Sequence, residues 1–243
     1  MGLKLLVVVA HPDDECFAFG GALALAAEAG IESHVLCLTD GKAASNRGDA
    51  ASREELGRMR REEFRRSCAV LGVAHCELLD YEDGQLEFVD FSHAAARLVN
   101  YMRRFQPTVV LTFGADGGLN THPDHTMVSL LTSAAFHWSG WAKRLPEQGE
   151  PHRPERLFLL STSFFMEDRP APMPLPWTVA LDVQAVRARK QEAFRQHTSQ
   201  APLVERTRAM FEEYGRHEFY TLAAQHEPGP AEQGTSLFAG LDV

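Results

Sequence analysis

The stretch LKLLVVVAHPDDE, residues 3–15, joins a nearly unbroken apolar run to a cluster of charge. A strand with one wet face alternates apolar and polar side chains, and Leu3 to Val9 does not. That pattern predicts a strand covered on both faces by helices, as in the middle of a parallel sheet. The run is too short to span a membrane, and no signal-peptide cleavage region follows it. In open α/β sheets ligands bind outside the carboxyl ends of the strands, which is where His11, Asp13 and Asp14 fall.

Working outward, the pattern alternates. Gly20 to Ala29 is rich in alanine and leucine and stops at Gly30, where a helix C′ glycine belongs. Val35 to Leu38 reads as a strand and Gly41 to Asp49 as a surface loop. Ala51 to Leu71 carries apolar residues at helical spacing, with Gly72 as its stop. Cys76–Leu79, Thr108–Phe113 and Leu157–Leu160 are further strands, and Phe91–Phe105, Pro123–Trp138 and Val183–Gln196 further helices. Ser139–Pro154 and the four-proline segment Pro170–Pro176 read as irregular. The alternation predicts an α/β fold: a doubly wound, mostly parallel sheet in a Rossmann-like, three-layer αβα arrangement. One domain is expected over residues 1–225, with 226–243 as a mobile tail.

The chain has 243 residues, 44% of them hydrophobic, and 24 basic against 33 acidic side chains give a formal charge of −9. Without a lysine/arginine tract, nucleic acid and anionic membranes are poor partners. The four cysteines, Cys16, Cys37, Cys68 and Cys76, lack metal-site or redox spacing. Together with the missing signal peptide they predict reduced thiols and a cytoplasmic protein. Self-association into a homo-oligomer is left open.

Two clusters carry chemistry. His11-Pro12-Asp13-Asp14 follows the first strand, and His122-Pro123-Asp124-His125 stands at the start of a helix after the strand Thr108–Phe113. A catalytic zinc site takes three imidazole or carboxylate ligands and keeps a fourth position open, a set that His11, Asp14 and His125 supply. Pro12 holds His11 extended while the chain turns back to bring Asp14 beside it, which leaves Asp13 to act as a base. Taken singly, His122 or Asp124 could simply cap the following helix. Two such clusters at the carboxyl ends of buried strands favour the chemical reading.

AHPDDE after the first strand with HPDH on a later loop resembles the PIG-L/LmbE-like N-acetylglucosaminyl deacetylase family. The similarity continues through Arg60–Glu63 (RREE), Leu71-Gly72-Val73, Lys190 and His197–Gln200 (HTSQ). The resemblance implies zinc, or iron(II), on His11, Asp14 and His125, with Asp13 as general base. It implies a protonated His122 facing the oxyanion, oriented by Asp124, and Arg60 near substrate hydroxyls; Arg47 is a comparable candidate. Read as a residue alone, Arg60 is equally a solvated charge on a crowded basic helix. Glu15 is expected to support the loop by hydrogen bonds, and Cys16 to be a small buried hydrophobe. Relatives that place a tyrosine shortly before HPDH differ from this chain, which has Gly118-Leu119-Asn120-Thr121.

The expected activity is zinc-dependent hydrolysis of an N-acyl, typically N-acetyl, group on an amino sugar or a small soluble conjugate of one. A related amidase acting on a thiol conjugate or a glycosylated natural product is the nearer alternative, and a non-catalytic metal- or sugar-binding protein the distant one. No G-x-S-x-G elbow, G-x-G-x-x-G loop or P-loop is present, against serine hydrolases and nucleotide-binding enzymes.

Overall fold

The structure is a computed structural model that describes residues 2–165, 171, 173–231 and 233–241. Among the described residues seven strands form one sheet: β1 (Lys4–Val9), β2 (Glu32–Thr39), β3 (His75–Tyr81), β4 (Val109–Thr112), β5 (Arg156–Ser161), β6 (Val179–Asp182) and β7 (His217–Gln225), in the order β3-β2-β1-β4-β5-β7-β6. The first five are mutually parallel, and β7 runs antiparallel to both β5 and β6. Leu5 to Val9 are fully buried, as a run without alternation requires.

The helices are α1 (Asp14–Phe17), α2 (Gly20–Glu28), α3 (Arg53–Leu71), α4 (Phe91–Phe105), α5 (Pro123–Ser139), α6 (Arg187–Arg195) and α7 (Ala201–Tyr214). α4 packs on α5, while α2, α3 and α6 pack together. Local chemistry sets their ends. Ser52 Oγ accepts from Glu55 N at 3.1 Å to open α3, and Gly72, with φ 80°, closes it. Asp90 caps α4 through His93 N at 2.7 Å.

Winding places the site. From β1 the chain moves outward to β2 and β3; from β4 it moves the opposite way to β5. The order therefore reverses between β1 and β4, which opens a crevice at their carboxyl ends. The loops after both strands carry the two motifs.

The sequence pattern predicts none of β6, α7 and β7. β6 is only four residues long, and β7 (HEFYTLAAQ) mixes charge with apolar residues. The expected helix Val183–Gln196 divides into a 3₁₀ turn over Gln184–Val186 and α6. Residues after 225, expected as a mobile tail, touch the sheet among those described: Gly234 bridges Val179 and Leu237 is buried. Pro170 and Pro172 of the proline-rich segment lie outside the described residues. No helix among the described residues is long and apolar enough to cross a membrane.

Candidate active site

After β1 the chain turns sharply. Asp14 N donates to His11 O at 3.2 Å, and Asp14 Oδ2 accepts His11 N at 2.8 Å. Asp13 stands at φ 112°, in the left-handed region that non-glycine residues rarely occupy. Such a backbone costs about 1–3 kcal/mol and persists only where its surroundings over-determine it. Here they do. Glu15 Oε2 accepts Asp13 N at 2.9 Å, and Arg60 donates to Pro12 O and, at 3.0 Å, to Asp13 Oδ2.

Three donors converge from the turn that leads β1 into α1 and from the first turn of α5. His125 Nε2 lies 3.3 Å from His11 Nδ1 and 3.3 Å from Asp14 Oδ1, and His11 Nδ1 lies 3.5 Å from Asp14 Oδ2. Tetrahedral ligands held ~2.0–2.1 Å from zinc are about 3.3–3.4 Å apart; the two imidazole nitrogens stand at that separation, while Asp14 meets His125 through Oδ1 and His11 through Oδ2. The outer nitrogens set the tautomers. His11 Nε2 faces Asp124 Oδ2 at 3.2 Å and Asp83 Oδ1 at 3.1 Å, which fixes its proton there and turns the Nδ1 lone pair inward. His125 Nδ1 donates to Gly117 O at 3.1 Å, which leaves Nε2 for a cation. Gly117 has φ 81°, and a Cβ there would meet the Thr121 and His122 backbone at 2.9–3.0 Å. The donor set and its support fit a divalent metal.

Three expected residues sit differently from their assigned roles. Asp124 does not hold His122 by its carboxylate. Its oxygens take His11 Nε2, Gly84 N at 2.8 Å and Leu86 N at 3.1 Å, so it supports a member of the donor triangle. His122 is instead the N-cap of α5: its Nδ1 accepts Asp124 N at 3.1 Å. Burial, with the neighbouring His11 and His125 acting in the same sense, pulls His122 from 6.5 down to about 4, against the protonated form that the resemblance implies. Arg60 is neither a solvated charge nor turned to a substrate's hydroxyls. α3 drives it beneath the loop, where Nη1 donates to Gly41 O at 2.7 Å, and only glycine at 41 leaves room for the guanidinium. Arg47 is exposed on the loop after β2.

Electrostatics separate the adjacent aspartates. Burial, opposed by Arg60 and reinforced by Asp14, pushes Asp13 up from 3.8 to about 6. Burial acts on Asp14 in the same sense, yet His125 and His11 overcome it and hold that carboxyl well below its ordinary value. Asp14 is therefore an anion fit to bind a cation, and Asp13 a carboxylate that takes up a proton near neutrality.

Asp83, in the loop after β3, belongs to neither sequence motif; its place at the same carboxyl edge as the two motifs is the signal the sequence carries for it. Behind the loop lies a second buried group. Glu15 Oε1 accepts from Ser67 Oγ at 2.5 Å and meets His197 Nε2 at 2.7 Å, with Glu15 and His197 both fully buried. Glu63 takes Thr198 Oγ1, Ser199 N and Ser199 Oγ at 2.7–2.8 Å. RREE and HTSQ thus interlock beneath Asp13. Cys16 is buried, its thiol donates to Asp13 O at 3.1 Å, and burial pushes its pKa well up.

Beside Asp13 and His125 opens a cavity of about 60 Å³ whose remaining walls are Phe17, Ala18, Phe113, Asn120, Leu160 and Leu203. Phe113 stacks on His125 with ring centres 3.9 Å apart, on the ring whose Nε2 faces His11 and Asp14.

Residues 6–136 match the PIG-L family, described as GlcNAc-PI de-N-acetylase. A 1D-myo-inositol 2-acetamido-2-deoxy-alpha-D-glucopyranoside deacetylase of Rhodococcus jostii (strain RHA1) is 30% identical over 239 residues, covering 81% of this chain and 81% of that one. A probable N-acetyl-alpha-D-glucosaminyl L-malate deacetylase 2 of Bacillus cereus is 29% identical over 153 residues, 62% of this chain and 66% of the relative. Among solved structures, the conserved protein TT1542 from Thermus thermophilus superposes with a TM-score of 0.72 at 28% identity, covering 94% of this chain and 98% of that one. The matched segment runs from β1 through α5 and contains the whole donor triangle, and on this ground the chain belongs to the PIG-L family.

Proposed function

We propose that this chain hydrolyses the N-acetyl amide of a glucosamine unit carried on a small soluble conjugate. The observation behind this reading is the triangle of His11, Asp14 and His125 with a separate carboxylate, Asp13, beside it and outside it. A protein that only binds metal has no use for a strained, buried base. The related enzymes are named for glucosaminyl conjugates of inositol and malate, which suggests a small polar aglycone.

His11 Nδ1, Asp14 and His125 Nε2 would hold a divalent cation, zinc in this reading and iron(II) as the alternative. Such a cation supplies polarisation of the acyl oxygen and brings the pKa of a water toward ~7. Asp13 takes the proton of the attacking water and passes it to the departing nitrogen, which leaves as a neutral amine. Its value near 6 leaves it ionised at neutral pH yet basic enough to accept. His122, neutral and with Nδ1 occupied by the Asp124 N–H, carries its proton on Nε2 and offers it as a hydrogen-bond donor to the oxyanion. Arg60 acts on Asp13 rather than on the sugar, by holding its carboxylate and its loop. Arg47, exposed at the same edge of the sheet, is the cation we assign to the sugar's hydroxyls.

The test is release of acetate from N-acetylglucosaminyl conjugates of inositol, malate and a second sugar, beside a plain N-alkylacetamide, before and after chelation and metal re-addition. Metal-dependent release from the sugar conjugates alone is expected. Equal kcat/KM on the alkylacetamide removes the sugar assignment, and activity confined to thiol-bearing conjugates replaces it with the related amidase reading.

A further inference from the structure

The cavity beside the catalytic carboxylate is larger and more apolar than an acetyl group needs. A single water-sized group takes about 10–15 Å³, so about 60 Å³ holds several, where the acetyl methyl is one. Phe17, Ala18, Phe113, Leu160 and Leu203 supply no hydrogen-bond partners, so a sugar's hydroxyls would be desolvated there without compensation. Asp13, His125 and Asn120 form the polar part of the lining. An amide whose carbonyl lies between Asp13 and His125 can therefore send its acyl chain into this cavity and its sugar toward solvent.

The apolar wall continues. A second cavity of about 40 Å³ shares Phe17, Ala18 and Leu160 with the first and extends beneath Phe164, Phe211 and Tyr214. The charged residues at its side, Lys190 and Glu218, are paired at 2.6 Å, and Glu218 also takes Gly21 N, Ala22 N and Tyr220 Oη. No unpaired charge from this ion pair meets a chain that passes Leu160.

We infer that the site takes amino-sugar amides with linear acyl groups longer than acetyl, about four to six carbons, seated between Phe17, Phe113, Leu160 and Leu203. This rests on the N-acyl hydrolase reading above and extends it to the acyl side. The chemistry is unchanged. Water's oxygen bonds to the carbonyl carbon, the C–N bond breaks, the amine leaves with the proton, and a short fatty carboxylate is the second product.

The test uses the full chain with its divalent cation and one glucosamine glycoside acylated with acetyl, butanoyl or hexanoyl, reading free amine. The expected kcat/KM for butanoyl equals or exceeds that for acetyl, by up to about fourfold for each methylene that the cavity buries. Leu203→Trp, which fills the cavity from α7, lowers the hexanoyl-to-acetyl ratio tenfold or more, and Leu203→Ala raises it. The ratio is internal to each preparation, so partial misfolding of either variant does not alter it. A lower kcat/KM for butanoyl than for acetyl in the unmodified chain overturns the inference and leaves the deacetylase reading standing. Amine release from none of the three amides overturns both.

Discussion

Asp13→Asn should raise the stability of the metal-stripped protein while abolishing most of its activity. Asp13 rises from 3.8 to about 6 on folding, chiefly by burial. At about 1.36 kcal/mol per pH unit, the ionised carboxylate opposes folding by about 3 kcal/mol. The sign follows from the direction of the shift. Below the ordinary 3.8 the group is protonated in both states and contributes nothing. As pH rises the unfolded chain ionises first, so the destabilisation grows up to the folded value near 6 and is constant above it. Asparagine does not titrate and still offers an oxygen to Arg60, so the variant escapes this penalty at about pH 8 and gains little at about pH 4. In a chain of this size about 3 kcal/mol corresponds to a Tm increase of roughly 6–12 °C. Thermal unfolding in chelator across about pH 4–8 reads it, and the same variant loaded with metal should lose about 10²–10⁴ in kcat. A variant less stable than the parent at the alkaline end, with activity lost only in proportion to folded protein, would make Asp13 a structural loop residue and refute the reasoning.

Asp124→Asn should weaken metal binding by about 10–100-fold, measured by competition with a chelator, because Asp124 fixes the proton of His11 on Nε2; unchanged affinity would mean that Asp83 alone orients the ring. His197→Leu leaves the buried Glu15 carboxylate without its cation and should cost about 3–5 kcal/mol in denaturant unfolding, with part of the loss recovered by adding Glu15→Gln. Although burial pushes Glu15 up, His197 and Ser67 hold it below its ordinary 4.5. Its contribution is therefore present above that ordinary value and disappears as pH falls through the lowered folded one. Parent and His197→Leu should converge in stability in acid, and a difference that persists there would assign the loss to packing.

The local pattern carried most of the doubly wound half of the fold. The apolar run Leu3–Val9 is legible because a strand buried on both faces has no reason to alternate, and α4 spans Phe91–Phe105 as its periodicity predicts. The two motifs stand at strand ends, and strand ends are local features. β6, α7 and β7 were not legible: β6 is too short to show a period, and the antiparallel return of β7 depends on pairing with β5 and β6. The same division runs through the site. Residue types and spacing were enough to nominate His11, Asp13, Asp14 and His125, because Pro12 and the turn after β1 constrain neighbours in sequence. Which carboxylate serves which histidine depends on contacts that the chain order does not express. Asp124 reaches across 113 positions to His11 rather than two to His122, and Glu15 meets His197 across 182. Arg60 was ambiguous among the arginines of α3 because helical spacing gives a face without saying what covers it; the loop folded over that face, with glycine at 41, made Arg60 the buried one. Sequence by itself determined the kinds of groups present and the sheet edge that carries them. Tertiary structure alone decided how they pair, since hydrogen bonds and burial act over a few ångströms of space and take no account of separation along the chain.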